Sequence, residues 1–305
     1  MTTASSTFHF YRPGAVLRVS GEDAFTFLQG QFSNQLQHPV GSAVYGLWLN
    51  QKGKVLADST VLRLGENDFL LTSEGSSAAV IRDRLEAYII ADDVMIADQS
   101  VEYACLVVAG AEGVAEVNAE FGGLPPQGSF LAREDVFIWA GRGELGRRCE
   151  VLGASSRVMD FARKLVAAGV SEIDAVAATT ARIEAGVPAV PVDIGPGDLP
   201  NEGGLDNTAI SYTKGCYLGQ EVMARLKNLG QVRRQLFRVR GIGAPPPSLA
   251  GLYQGTEKVG EVRSVAPRGD GYVALAMCSL VKLKAGANLS LSPEGEANVE
   301  VLDRG

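Results

Sequence analysis

The segment at residues 214–225, KGCYLGQEVMAR, holds the side chains best suited to chemistry. A helix that begins near Cys216 would place that thiol at the positive end of a helix dipole, beside the ammonium group of Lys214. Both neighbours favour the thiolate and so lower a cysteine pKa. The segment therefore predicts a nucleophilic Cys216. An alternative stays open, in which an ordinary helix carries a Glu221–Arg225 ion pair and a small buried cysteine.

The same predicted helix would give this segment one polar face. Tyr217, Gln220, Glu221 and Ala224 fall on one side at helical spacing. Gly215, just before the helix, would allow another stretch of backbone to approach closely. The phenol, the amide and the carboxylate on this face are candidate ligand-binding groups.

The other three cysteines have apolar or strand-like surroundings. Cys105 lies in ACLVV, Cys149 in RRCEVL, and Cys278 follows VALAM, so we expect all three to be shielded. No two cysteines have the spacing of metal ligands or of a redox motif, which predicts no metal site and indicates a reducing compartment. The N-terminus has neither a secretory nor a transit-peptide pattern, and no apolar run could span a membrane. We therefore expect a cytoplasmic protein.

Several common catalytic patterns are missing or out of context. GRGELG at residues 141–146 satisfies GxGxxG, but strand-like runs lie on both sides of it, which predicts a hairpin turn instead of a dinucleotide site. The chain has two histidines and no Walker loop, GxSxG elbow or HExxH motif. These observations weigh against histidine-based catalysis.

The elements around the segment predict an α+β protein. We expect strands at residues 16–19, 43–49, 54–64 and 69–72, with helices after Ser20 (apolar stripe Phe25, Leu28, Phe32, Leu36) and at 77–90. Residues 101–152 look mainly β. Two helices follow, with stripes at Val158, Phe161, Leu165, Val166 and at Ile173, Val176, Ile183.

Residues 187–213 form a long proline- and glycine-rich connection, which is typical of functional or disordered loops. From residue 232 the pattern predicts a small all-β barrel.

The charge balance argues against a dedicated nucleic-acid binder. A net charge of -7 is opposite in sign to that of a dedicated nucleic-acid binder. Residues 222–240 are locally basic, without a single acid. Their cations are Arg225, Lys227, Arg233, Arg234, Arg238 and Arg240. This segment could hold an anionic ligand or an acidic partner surface, or it could be a solvated strand face.

KGCYLGQEVMAR closely resembles the signature of the YgfZ family, K-G-C-aromatic-x-G-Q-E followed by A/S-K/R. VSGEDAFTFLQGQFSNQL, ARIEAGVP, LPNEGGLDNTAIS and GLYQGTEKVGEVRSVA are similar to further segments of that family, in the same order. The resemblance covers the chain from about residue 14 to its end. It is shared in part with the glycine-cleavage T-protein, an aminomethyltransferase.

The resemblance implies a T-protein-like fold that binds tetrahydrofolate or a one-carbon derivative, with a C-terminal β-barrel. It suggests a folate-binding region of two α+β subdomains at residues 1–230 and a barrel domain at 231–305. Glu184 matches the family's pterin-binding glutamate, and its position in the last turn of a helix opposes the helix dipole, which a ligand would help to explain. The folate-binding candidates are Arg182, Glu184, Lys214, Tyr217, Gln220, Glu221 and Arg225.

The resemblance also bears on catalysis. Aligning GKVLAD at residues 53–58 with the T-protein's Asp-Asp pair leaves Ala57 at the first position and Asp58 at the second, so Asp58 is a candidate catalytic acid. Whether the chain is an enzyme is left open.

Three functions follow as hypotheses. The first is a folate-binding accessory protein that uses Cys216 to support assembly or repair of iron–sulfur clusters, with client enzymes or cluster-assembly proteins as partners. The second is an aminomethyltransferase that uses Asp58, and the third is a folate-sensing or folate-storing module without thiol chemistry.

Overall fold

The computed structural model describes residues 6–142, 148–284, 286 and 288–304. Contacts divide the chain into two compact units. The first runs up to Trp48, resumes over Ala57–Asp174 and takes in Thr213–Leu218, and the second comprises Leu49–Leu56, Ala175–Tyr212 and the chain from Gly219 onward. The KGCYLGQE segment is therefore divided, with its first half in one unit and its second half in the other.

The first unit contains eleven strands and four helices among the described residues. In chain order they are β1 (Thr7–Tyr11), β2 (Ala15–Ser20), α1 (Ala24–Gln31), β3 (Ala43–Leu49), β4 (Val55–Arg63), β5 (Asp68–Ser73), α2 (Ala78–Glu86), β6 (Met95–Asp98), β7 (Tyr103–Ala109), α3 (Ala111–Phe121), β8 (Phe130–Arg133), β9 (Val136–Ala140), β10 (Arg148–Ala154), α4 (Ser155–Ala167) and β11 (Ser171–Glu172). They form two sheets, ordered β3-β4-β5-β2-β6 and β11-β1-β7-β10-β9-β8.

The five-stranded sheet buries one face under α1 and α2. Leu17, Leu28, Trp48, Phe69 and Ile81 belong to one apolar cluster and are fully buried. Burying a side chain of this size stabilises a fold by about 2 kcal/mol. The predicted strands at 16–19, 43–49, 54–64 and 69–72 are all confirmed, because their apolar residues face this core.

Helix α1 is shorter than its apolar stripe predicts. It ends at Gln31, and Phe32 is already extended and bridges Trp48 in the neighbouring strand. Phe32 and Leu36 are buried as expected, but by a turn of the chain and not by a continuing helix. The inward position predicted for Val166 and Val176 is also wrong, since both side chains are largely exposed.

Helix α3 interrupts a region that the sequence predicts to be mainly β. Gly110 and Gly122 bound it, both with positive φ, and Val117 and Phe121 are buried beneath it. The apolar spacing of three to four residues in EGVAEVNAEF is helical, and that signal was missed. The glycine-rich turn predicted at 141–146 falls largely outside the described residues.

The second unit combines short helices with one antiparallel sheet. Its elements are α5 (Ala175–Glu184), a 3-10 turn at Pro200–Gly203, α6 (Asp206–Ala209), α7 (Gln220–Leu229), β12 (Arg234–Ile242), β13 (Gly251–Gln254), β14 (Glu257–Arg268), β15 (Gly271–Ser279) and β16 (Val299–Arg304). The sheet order is β13-β14-β15-β12-β16, and the sheet curls into a half-barrel. The predicted C-terminal β-region is confirmed in this coarser form.

The long connection at residues 187–213 is ordered by buried ion pairs. Asp198 accepts from Arg234 and Arg263, and Glu202 accepts two hydrogen bonds from Arg234. A buried carboxylate needs such partners to offset its lost hydration. Across the described part of the chain, no helix is both long and apolar enough to span a membrane.

Candidate functional site

Cys216 does not lie at a helix N-terminus. Helix α7 begins four residues later, at Gln220, with Gly219 as its N-cap in a left-handed conformation (φ +87°). The helix predicted from Cys216 is therefore wrong, because the backbone turns at Gly219 instead of continuing a helix through Tyr217. The helix-dipole argument for a nucleophilic Cys216 therefore does not apply.

Lys214 anchors the loop that carries Cys216. Its side chain is buried, and its Nζ donates to the backbone carbonyl oxygens of Gln29 (2.7 Å), Phe32 (2.7 Å) and Asn34 (2.9 Å). These carbonyls lie at and just beyond the end of α1, where no intrahelical donor remains. The three hydrogens of the ammonium group match the three acceptors, so Lys214 ties this loop to the end of α1.

Burial lowers the pKa of Lys214 to about 7, while the three carbonyl oxygens favour the charged form. The ammonium group also lies 5.2 Å from the ring centroid of Tyr217, a buried residue of the same loop. Lys214 is therefore engaged with the protein. The predicted roles of Lys214 and Tyr217 in folate binding stay predictions.

Cys216 is the exposed cysteine of the four. Burial raises the pKa of Cys149 and of Cys278 to about 12, and it raises the pKa of Cys105 well above its usual value. The expected shielding of those three thiols is confirmed. Accessibility, and not a neighbouring positive charge, is what distinguishes Cys216.

Asp58 lies in a polar cluster in the first unit. Ser73 and Ser76 donate their hydroxyls to Oδ1 (2.6 and 2.7 Å), and the Tyr45 hydroxyl donates to Oδ2 (3.1 Å). The Arg142 guanidinium lies 3.7 Å from Oδ2 and over the Tyr45 ring. Burial raises the pKa of Tyr45 well above 10, which keeps its hydroxyl a donor. Asp58 is thus 7% exposed and held in one orientation.

None of the partners of Asp58 was identified from the sequence. They come from separate strands and loops, and serine and tyrosine carry no spacing signal that would single them out.

Glu184 has a protein partner at the end of α5. Its Oε1 lies 2.6 Å from Nε of Arg268, and the carboxylate is 40% exposed. Arg238 donates to its backbone carbonyl. The positive charge of Arg268 accounts for an acid in the last turn of a helix, so the helix-dipole argument for a ligand at Glu184 loses its force.

The guanidinium group of Arg182 is bound by groups of the 187–213 connection and of strand β14. Its Nη1 donates to the carbonyl oxygen of Val187 (2.8 Å) and to Asp193 Oδ2 (2.6 Å), and its Nη2 donates to Ser264 Oγ (2.7 Å). Asp193 is fully buried. Arg182 therefore neutralises a buried carboxylate, a role that the sequence did not reveal.

The polar residues of α7 match the alternative that the sequence left open. Glu221 and Arg225 form an i,i+4 pair at 3.4 Å, and both side chains are largely exposed. Gln220 is the first residue of the helix. Among the basic residues nearby, Arg238 pairs with Asp303 and Arg240 with Glu300. These two arginines lie on a solvated, ion-paired strand face, which is the alternative that the sequence left open for residues 222–240.

Comparisons with known proteins agree with this architecture. Residues 14–120 match the family model described as the GCVT N-terminal domain. The chain is 28% identical over 300 residues to the iron-sulfur cluster assembly factor IBA57, mitochondrial, of Homo sapiens, covering 91% of this chain and 78% of that protein. It is 27% identical over 239 residues to the tRNA-modifying protein YgfZ of Klebsiella pneumoniae (76% and 71% covered).

Two further relatives are aminomethyltransferases. The chain is 30% identical over 232 residues to the aminomethyltransferase of Exiguobacterium sibiricum, covering 72% of this chain and 63% of that protein. The crystal structure of aminomethyltransferase T from Bartonella henselae superposes with a TM-score of 0.81 at 20% identity, covering 99% of this chain and 86% of that one. The last comparison shows the T-protein fold. The chain is therefore a homologue of the IBA57 and YgfZ proteins that contains a GCVT N-terminal domain and has the T-protein fold.

Proposed function

We propose that this chain is a tetrahydrofolate-binding accessory protein that supports the assembly or repair of iron–sulfur clusters in client enzymes, with Cys216 as its working thiol. The IBA57 relatives are iron-sulfur cluster assembly factors. Its partners are then iron–sulfur client enzymes or other assembly proteins, and its compartment is the cytoplasm.

The observation that carries the proposal is the contrast between Cys216 and the other thiols. Cys216 is exposed, whereas Cys105, Cys149 and Cys278 are buried. The loop that carries Cys216 is anchored by the three hydrogen bonds of Lys214. An exposed thiol in a fixed loop can meet a partner protein or a cluster with little loss of conformational freedom.

The carboxylate of Glu184 can still accept a hydrogen bond from a pterin. Its Oε1 pairs with Arg268, but the carboxylate has a second oxygen and is 40% exposed, so it can still take an N–H donor of the pterin edge. Arg182 suits a supporting role, because its guanidinium holds Asp193 and the start of the 187–213 connection. Lys214, Tyr217, Gln220, Glu221 and Arg225 remain our proposed further contacts for the folate.

We also keep residues 1–230 and 231–305 as the folate-binding region and the C-terminal domain. A closed barrel is our proposal for that domain. Bridges from Leu289 to Val299 and from Ser290 to Tyr253 continue the sheet on both sides of the 289–290 segment.

A deletion strain assayed for iron–sulfur enzyme activities tests the proposal. We expect wild type and Gly215→Ala to restore those activities, and Cys216→Ser to fail at equal protein level. Gly215→Ala is the matched control, because a Cβ at that position meets nothing within 4 Å. Full complementation by Cys216→Ser would remove the thiol from the function and leave a folate-sensing or folate-storing module as the better account.

A second candidate function is aminomethyl transfer, and the cluster around Asp58 favours it. A carboxylate held by two serines and a tyrosine is oriented as a catalytic acid would need to be. The first acid of the T-protein pair is, however, replaced by the fully buried Ala57. We therefore expect little or no turnover with tetrahydrofolate and an aminomethyl-loaded carrier protein. Robust turnover that is lost in Asp58→Asn would establish the enzyme instead.

A further inference from the structure

A groove of about 730 Å³ lies within the second unit. Its accessible apolar surface comes from Leu199, Leu226, Val232 and Val281, whereas Val259 and Met277, which also line it, are buried. Volumes of this order are typical of sites that hold a ligand. The groove contains none of the residues proposed above for folate binding or thiol chemistry.

The groove is also basic. Five cationic side chains line it, against the two carboxylates of Glu202 and Glu261. The cations are Lys54, Arg233, Arg234, Lys258 and Lys282. Arg233 and Arg234 lie at the start of β12 in the basic 222–240 segment, and tertiary folding adds Lys54 of the 50–54 turn, Lys258 of β14 and Lys282, which follows β15.

Three of these cations have acidic partners. Arg234 binds Glu202, Lys258 lies 3.5 Å from Glu261, and Lys282 lies 3.2 Å from Glu257. Lys54 and Arg233 differ from them. Within the described ranges, neither side chain has an ion pair or a hydrogen bond to the protein, and both line an apolar groove.

We infer that this groove is a docking site for a short acidic segment of a partner protein, with its carboxylates at Lys54 and Arg233 and an apolar side chain on the floor formed by the partly exposed Leu199 and Leu226. The inference goes beyond the proposed function and does not depend on Cys216 or on folate. Charge complementarity of this kind raises association rates and selects partners.

The apolar floor favours a peptide over a small polyanion. A compact anion such as citrate would gain from the two cations but would place charge against the exposed apolar surface of Leu199 and Leu226. A peptide in which glutamates flank leucines satisfies both parts of the groove, because successive side chains can point to the basic rim and to the floor.

Fluorescence anisotropy with the full-length chain tests the inference. The probe is a labelled hexapeptide, Glu-Leu-Glu-Glu-Leu-Glu, and its charge-inverted form, Lys-Leu-Lys-Lys-Leu-Lys, is the control peptide. We expect saturable binding of the acidic peptide only, weakened about tenfold by Lys54→Glu with Arg233→Glu and weakened as salt is raised. Hydrogen exchange should show protection at residues 231–234 and 258–261.

A matched double variant separates local from global charge. Arg12→Glu with Arg133→Glu changes the net charge by the same amount on exposed residues of the first unit and should leave binding unchanged. If the reversed charges impair folding, the milder double variant Lys54→Gln with Arg233→Gln replaces them, and it should also weaken binding of the acidic peptide. Equal binding of both peptides, unchanged binding in the groove variants, or binding of citrate without the peptide would each overturn the inference.

Discussion

Lys214 illustrates how a charged residue in a reactive-looking motif can have a structural role. From the sequence, its ammonium group would sit beside the thiol of Cys216 and acidify it. In the fold, that ammonium donates to three carbonyls at the end of α1. Lys214 therefore fixes the loop, and Cys216 in the same loop is exposed.

Replacing Lys214 with Met should destabilise the first unit by about 2 kcal/mol at pH 7. The change removes the three hydrogen bonds donated to these carbonyls, each loss being of order 1 kcal/mol, while it removes the cost of burying a charge. Urea denaturation measures the difference. The control is Lys52→Met, which replaces an exposed lysine of the 50–54 turn. It should change the free energy of unfolding by less than about 0.5 kcal/mol. An unchanged midpoint in Lys214→Met would show that the anchor is dispensable.

The stability difference between wild type and Lys214→Met should grow as the pH rises from about 7 towards 10.5. Burial lowers the pKa of Lys214 from 10.5 to about 7, so in this window the unfolded chain binds the proton that the folded chain has released. Raising the pH then favours the folded state. Denaturation at pH 7, 8 and 9 measures the trend. A difference that stays flat over this window would mean that the three carbonyls keep the ammonium group charged.

Cys216 should react first with a limiting amount of iodoacetamide at pH 8. It is exposed, whereas burial shields the other three thiols and raises their pKa. Peptide mapping identifies the labelled cysteine. In guanidinium chloride all four cysteines should label at similar rates, which controls for differences in the intrinsic reactivity of the thiols. Faster labelling of a buried cysteine in the native protein would contradict the assigned accessibility.

At the level of elements, Gly219 decides where α7 begins and so where Cys216 lies. Its φ of +87° suits glycine, and a Cβ there would lie 2.8 Å from the carbonyl oxygen of Asn50. The sequence pointed to Gly215 as the site of close backbone approach. That expectation is wrong, because the crowded glycine of KGCYLGQE is the second one.

Gly219→Ala should therefore destabilise the protein by about 1–3 kcal/mol, whereas Gly215→Ala should be close to neutral. The first change combines an unfavourable left-handed conformation with a backbone clash, and the second adds a methyl group in open space. Thermal denaturation of the two variants side by side measures the contrast. Equal stability of the two would contradict the helix start at Gln220.

At the level of the whole molecule, the T-protein fold and the family relationship support folate binding as a proposal. Calorimetry should detect tetrahydrofolate binding with a Kd of about 1 μM or lower, near -8 kcal/mol. Glu184→Ala should weaken it about ten- to a hundredfold, since a charged hydrogen-bond partner contributes about 1.5–3 kcal/mol. Glu300→Ala, which removes an exposed, arginine-paired acid of the same unit, is the control. Equal affinity in wild type and Glu184→Ala would exclude Glu184 from the folate site.

Much of the fold could be predicted from the sequence because its signals are local. The strands around Leu17, Trp48 and Phe69 follow from alternating apolar residues, and the shielding of Cys105, Cys149 and Cys278 follows from their apolar neighbours. The family resemblance rested on a run of twelve residues in fixed order. Helix α3 shows that even a local signal can be missed when flanking strands dominate the pattern.

The sequence by itself thus determined the α+β class, the family resemblance and the shielding of three of the four thiols, whereas the exposure of Cys216 came from the structure. Tertiary structure alone decided which groups those residues meet. Lys214 binds carbonyls some 180 positions earlier in the chain, and Asp58 is held by hydroxyls of Ser73 and Ser76 on another strand and loop. Spacing along the chain cannot encode such partners, because a buried ammonium or carboxylate takes whichever donors and acceptors the folded backbone brings within 3 Å.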